Sequence, residues 1–145
     1  MSDLLVFLAV YAIYGVFLAP LLLVVKGQTL LAVKAWLAAG LAWAIGKFIQ
    51  DFFYFPRPYI VAQHPTLVKA ILNGSFPSVH TAMAMAISFV IFWHHKRLGV
   101  VLLIVSLLIG VGRIGVLVHS PLDVAGGIVL GYLAAWALDN YHSKY

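Results

Sequence analysis

The chain has 145 residues, 64% hydrophobic and 9% charged, with no cysteine and a formal net charge of +5. A soluble domain carries about 25% charged residues, so this composition excludes one and describes an integral membrane protein, without disulfides or thiolate chemistry. Short basic loops that set membrane orientation account for the positive charge, so no nucleic-acid partner is expected.

A helical crossing needs about 20 apolar residues. Apolar runs between breakers cover 4–25, 30–53, 76–93, 98–118 and 122–138. They predict an all-α polytopic bundle of about five helices, organised as one domain over residues 1–145. Met1-Ser2-Asp3 has no basic n-region, so the first run reads as a retained helix rather than a signal peptide. Pro20 is expected to kink that helix, and Trp36, Trp93, Trp136 and Tyr141 are expected at the membrane interfaces. Gly127 and Gly131 form a small-x3-small pattern suited to close packing of the last helix.

Basic residues in short loops favour the cytoplasm. Lys26 and Lys34 flank the first turn, His94-His95-Lys96-Arg97 forms the third, and Lys144 lies in the tail. With five crossings the N-terminus is expected outside and the C-terminus in the cytoplasm. His94 and His95 then read as solvated markers of the inner face. The turns 54–75 and 118–121, whose one lysine is Lys69, face outward.

Three polar segments fall at that outer edge: Pro56-Arg57-Pro58, Phe76-Pro77-Ser78-Val79-His80, and Arg113 followed by His119 and Asp123. Parts of them have structural readings. Pro77 and Pro121 suit the first position of a helix. Ser120 is then an N-cap, and Asp123 complements the helix dipole by about 0.3–1 kcal/mol. Arg113 has no such reading. It is expected inside the fourth run, five residues from its end, where a buried charge costs about 2.5–3.5 kcal/mol on the most lenient scales.

Two arginines grip oxyanions with forked donors and stay charged at any working pH. With Ser78 and the free amides of the helix beginning near Pro77, Arg57 and Arg113 make a phosphate cradle. His119 and Asp123 stand close enough across a helix start for the carboxylate to orient the imidazole, leaving the other nitrogen to attack phosphorus. His80, at the same depth, is placed to protonate the departing oxygen. This chemistry calls for no metal and no cofactor. With no glutamate and four aspartates, a carboxylate-rich magnesium site is not expected.

The three segments, in this order, resemble the signature motifs of the type 2 phosphatidic acid phosphatase superfamily. The resemblance implies a helical membrane phosphatase with a phosphohistidine intermediate on His119, His80 as acid and then base, Asp123 orienting His119, and Arg57, Ser78 and Arg113 on the phosphate. The family's first motif carries a lysine seven positions before the arginine, where this chain has Gln50. Lys47 is the nearest lysine, about 15 Å from Arg57 if one helix continued between them, and Asp51 is its expected ion-pair partner.

The stretch from Arg57-Pro58-Tyr59 through His64 to Ser78 resembles the small bacterial undecaprenyl-diphosphatase branch. That branch implies removal of the terminal phosphate of a polyprenyl diphosphate on the outer side of the bacterial cytoplasmic membrane, with His64 as a further substrate contact. Phosphatidylglycerophosphate, phosphatidate and lipid A phosphatases are the near alternatives. A small transporter or proton-conducting module is the distant one, since it predicts titratable groups spread through the membrane depth.

Overall fold

The computed structural model describes residues 2–69 and 73–140. The expected markers Tyr141 and Lys144 lie outside the described residues. In chain order the helices are α1 (Ser2–Val6), a π-helical stretch (Phe7–Tyr11), α2 (Ala12–Val25), α3 (Thr29–Phe52), the short α4 (Pro58–Val61), α5 (Val79–His94), α6 (Lys96–Gly115) and α7 (Pro121–Asn140). Among the described residues every element is helical. In a bilayer the backbone must satisfy its own hydrogen bonds, and a helix does so within one segment.

Four stretches are long and apolar enough to cross a membrane: Asp3–Val25, Thr29–Phe52, Lys96–Gly115 and Pro121–Asn140. The fifth, α5, has 16 residues, about 24 Å of helix. It packs against α2, α3, α6 and α7, so the surrounding helices rather than lipid enclose it. The chain is an all-helical membrane bundle, as expected.

Small residues face inward and large ones outward. Ala32, Ala35, Ala38, Ala39 and Ala42 of α3 and Ala82, Ala84 and Ala86 of α5 are fully buried, while Leu37, Trp43 and Phe48 are exposed. Lipid is as apolar as leucine, so close backbone approach, not burial of large side chains, drives such packing. The expected glycine pair does this work: a Cβ on Gly127 would lie 2.6 Å from the Ser78 carbonyl oxygen, and one on Gly131 2.5 Å from that of Ala82.

Several expectations are refined or corrected. α2 contains Pro20, and the first span also departs from α geometry at Phe7–Tyr11, which its apolar run does not reveal. Trp36 also ties two helices together: its indole N–H donates to the Phe17 carbonyl of α2 at 3.0 Å. The third run becomes helical only at Val79. Pro77 and Ser78 bond to other segments instead: the Pro77 carbonyl accepts from Gln50 at 2.8 Å, and the Ser78 N–H donates to the Asp123 carbonyl at 2.8 Å.

The fourth run also ends early, at Gly115, which puts Arg113 in the last turn of α6. Leu117 with φ +62 reverses the chain there, and the His119 N–H donates to the Arg113 carbonyl at 3.3 Å. His94 lies exposed at the turn, as expected, and both histidines have partners there. His94 Nε2 lies 2.8 Å from Asp139 Oδ1, and His95 Nε2 pairs with Gln28 Oε1.

Candidate active site

Arg57 precedes Pro58, which restricts it to extended backbone, and it has φ −74 and ψ 148. Its side chain is buried and heavily bonded. Nε donates to Asn73 O at 3.1 Å, Nη2 to Asn73 Oδ1 at 2.9 Å and Gly74 O at 3.0 Å, and Nη1 to Val118 O at 2.9 Å. A guanidinium has five N–H donors, so most of them are committed to oxygen. Nη1 also lies 3.5 Å from His119 Nε2.

Asn73 extends this clamp. Its side-chain amide donates to Gln50 Oε1 at 3.0 Å, and Gln50 Nε2 donates to the Pro77 carbonyl. Segment 73–75 reaches the end of α3 through bonds from Gly74 N to Gln50 O (3.3 Å) and Ser75 N to Phe55 O (2.9 Å). Glycine is required at 74, since a Cβ would lie 2.8 Å from Gln50 O and 2.9 Å from Phe53 O.

Arg113 reaches the site from the end of α6. Its Nη1 donates to Ala9 O in the π-helical stretch at 3.3 Å, and its Nη2 lies 3.3 Å from His119 Nε2. Its Nε is buried without a partner among the described residues. One imidazole nitrogen therefore faces two cations, which assigns the ring proton to Nδ1 and a lone pair to Nε2. Burial, reinforced by both guanidiniums and opposed by Asp123, lowers the His119 pKa from 6.5 to about 4.

His119 Nδ1 lies 3.7 Å from Asp123 Oδ2, a facing pair beyond hydrogen-bond length. Asp123 is fixed by its cap: Ser120 N donates to Oδ2 at 2.6 Å, and the Asp123 N–H donates to Ser120 Oγ at 3.2 Å. Ser75 Oγ adds a contact to Oδ1 at 3.4 Å. Ser120 is thus the expected N-cap, with Pro121 at the first position of α7.

A cavity of about 560 Å³ joins Arg57, Arg113, His80 and His119. Gln50 and Asn73 line it too, as do the apolar side chains Ile13, Phe17, Trp43 and Met83. Ile13 and Phe17 lie one and two turns after Ala9, Trp43 one turn before Lys47 and Met83 about one turn after His80, so the cavity grades from cationic to apolar towards the middle of the bundle. Tyr14, which also lines it, and Trp43 are exposed on the outer faces of α2 and α3.

The structure thus brings Arg57, Arg113, His80 and His119 together, with Asp123 behind His119. Ser78 is not among the lining residues: its hydroxyl is fully buried 3.0 Å from Thr81 Oγ1. Gln50 holds Asn73 and Pro77. Lys47 lines the cavity but pairs with Asp51 at 2.8 Å, as expected. α3 stops at Phe52, so no continuous helix joins Lys47 to Arg57. His64 is exposed and lies outside the cavity lining. Sequence reasoning missed Asn73, whose one signal is the Asn73-Gly74 turn pair. It missed Ala9 entirely, because a backbone acceptor leaves no mark on composition.

The chain is similar to known proteins over most of its length. The chain is 33% identical over 133 residues to the Bacitracin transport permease protein BcrC of Bacillus licheniformis, covering 89% of this chain and 66% of that protein. It is 32% identical over 136 residues to the Undecaprenyl-diphosphatase BcrC of Bacillus subtilis, covering 92% and 70%. The chain thus spans about two thirds of the length of these curated relatives. A crystal structure of a transmembrane PAP2-type phosphatidylglycerolphosphate phosphatase from Bacillus subtilis shares the fold, with a TM-score of 0.66 at 19% identity over 99% of this chain and 84% of that one. The sequence model of the PAP2 superfamily matches residues 31–145, four-fifths of the chain and every site residue expected from the sequence, and the chain belongs to that superfamily.

Proposed function

We propose that this protein is a lipid phosphatase that removes the terminal phosphate of a polyprenyl diphosphate by way of a phosphohistidine. The observation that carries the proposal is the position of His119 Nε2, 3.5 Å from Arg57 Nη1 and 3.3 Å from Arg113 Nη2. A neutral nitrogen nucleophile flanked by two guanidiniums suits a tetrahedral oxyanion whose charge both cations neutralise.

In the first step Nε2 bonds to phosphorus, the bond from phosphorus to the leaving oxygen breaks, and His80 gives that oxygen a proton. Asp123 stabilises the charge that develops on the His119 ring. In the second step His80 takes a proton from water, whose oxygen bonds to phosphorus as the P–N bond breaks and inorganic phosphate leaves. Arg57, Arg113 and the free amides at the start of α5 hold the phosphate oxygens. Ser78 joins them when its hydroxyl exchanges Thr81 for a phosphate oxygen. Gln50 and Lys47 act at a distance in this scheme, and His64 meets substrate outside the cavity. No step uses a metal.

The apolar half of the cavity and the exposed Tyr14 and Trp43 support a lipid substrate arriving from the bilayer. The resemblance to a protein named undecaprenyl-diphosphatase supports the diphosphate. Lys26, Lys34, Lys96 and Arg97 gather at the opposite end of the bundle, which favours an extracytoplasmic active site in a bacterial cytoplasmic membrane. A panel of polyprenyl diphosphate, phosphatidylglycerophosphate and phosphatidate, assayed in proteoliposomes with chelator present, tests the proposal. Fastest phosphate release from the diphosphate is expected. Preference for a monophosphate would reassign the substrate, and ion flux without phosphate release would replace the phosphatase with a transporter.

A further inference from the structure

We propose that the end of the bundle opposite His119 carries a binding site for the headgroup of an anionic phospholipid, separate from the catalytic cavity. A second cavity, of about 490 Å³, is lined there by Lys26, His95, Lys96 and Arg97 above Leu22 and Leu98. Two distant parts of the chain form it. Lys26 caps the end of α2, while His95 to Arg97 open α6, and the His95–Gln28 side-chain pair ties the two turns together.

Its charge is unbalanced. Of the four aspartates in the chain, Asp139 alone lies at this end, and it is taken by Lys34 at 3.6 Å and His94 at 2.8 Å. Lys26, Lys96 and Arg97 therefore have no carboxylate partner among the described residues. Lys96 Nζ instead sits 3.9 Å over the Phe92 ring. The first-turn amides of the 20-residue α6 open at the same place, adding donors and the positive end of a helix dipole.

Orientation signals alone require only that lysine and arginine reach water on one side of the membrane. They do not require three cations without a carboxylate partner among the described residues to converge on one cavity. The leucine floor distinguishes the occupant, since Leu22 is 55% exposed directly beneath the cations. A free phosphate makes no use of that apolar surface, whereas a phospholipid lays its acyl chain on it while its phosphate meets the basic rim.

The test uses the full chain in neutral detergent, with orthovanadate filling the catalytic site. Retention of phosphatidylglycerol and of phosphatidylcholine with matched acyl chains is read by native mass spectrometry. Wild type is expected to retain phosphatidylglycerol at least tenfold better, and the double variant Lys26→Gln/Arg97→Gln to lose that preference while hydrolysing a water-soluble phosphate ester at the wild-type rate. Lys26→Arg should keep it. Should the double variant fail to hydrolyse the ester, Lys26→Gln and Arg97→Gln read singly replace it, each expected to weaken the preference. Equal retention of the two lipids by wild type, or an undiminished preference in the variants, overturns the proposal. Displacement of phosphatidylglycerol by millimolar inorganic phosphate overturns the lipid assignment in favour of a free anion.

Discussion

Arg113 and His119 are joined twice. The His119 backbone N–H donates to the Arg113 carbonyl at 3.3 Å, and Arg113 Nη2 lies 3.3 Å from His119 Nε2. The turn that ends α6 therefore fixes both the position of the nucleophile and the cation beside it. Arg113 is in turn anchored to Ala9 of the first span, so a helix outside the family match contributes to the site.

Replacing His119 with alanine removes the proposed nucleophile. Turnover should fall by a factor on the order of 10⁴ or more, with the protein still folded and extractable. Single-turnover phosphate release and the melting temperature check the two halves of this expectation, and activity within tenfold of wild type would exclude a phosphohistidine at this position.

Asp123 serves a helix cap and the imidazole at once, and two substitutions separate these roles. Ser120→Ala should cost about 1 kcal/mol of stability with little change in rate. Asp123→Asn keeps an acceptor for the Ser120 N–H but no longer holds a proton on Nδ1, so kcat should fall by up to roughly 10⁴, the scale known for a wrong histidine tautomer elsewhere. Paired melting and kinetic measurements decide, and a large rate loss in Ser120→Ala with normal Asp123→Asn turnover would reverse the assignment.

Asn73→Ala should remove the one side-chain acceptor of the Arg57 guanidinium and leave Gln50 Oε1 without its donor. The loss of buried hydrogen bonds, about 1–3 kcal/mol, corresponds to roughly 10- to 100-fold in kcat/KM. Asn73→Asp keeps an acceptor for Arg57 and should recover part of the loss. Unchanged kinetics in Asn73→Ala would show that Arg57 is held by backbone alone.

The His119 imidazole should titrate near pH 4 rather than 6.5 in the free protein. Between those values the unfolded chain binds the proton and the folded one does not, so His119 makes stability fall as pH drops from about 6.5 to about 4 and has no such effect above that window. Orthovanadate, by engaging the Nε2 lone pair, should move the midpoint further down. Histidine-resolved NMR with and without vanadate measures both, and a midpoint at 6.5 with no shift on vanadate would place the ring in water.

Gly74→Ala should disturb the Arg57 clamp through the backbone. The added methyl meets two carbonyl oxygens at 2.8 and 2.9 Å, so a cost of about 1–3 kcal/mol and a parallel loss of activity are expected. Wild-type melting temperature in this variant would show that segment 73–75 relaxes freely.

Much of the fold and of the site is legible in the order of the residues. Hydrophobic runs locate the spans to within a few residues, because a bilayer demands about 20 apolar residues per crossing. Lysine and aspartate at 47 and 51 announce their own ion pair, since both lie on one helical face. Arg113 stands out because a charge in an apolar run is costly. The boundaries at Val79 and Gly115 are less visible: hydropathy does not register where a carbonyl is diverted to Gln50 or where Leu117 turns left-handed.

The amino-acid sequence by itself determined that the chain is a helical membrane protein and which few polar side chains are available for chemistry, since both follow from the cost of charge in hydrocarbon. Tertiary packing alone decided that Arg57 is clamped by Asn73, that Ser78 turns to Thr81 rather than into the cavity, and that Ala9 anchors Arg113. The first and last of those relations join residues 16 and 104 positions apart, and the Arg113 anchor rests on a backbone oxygen; neither periodicity nor composition encodes a contact made across the bundle.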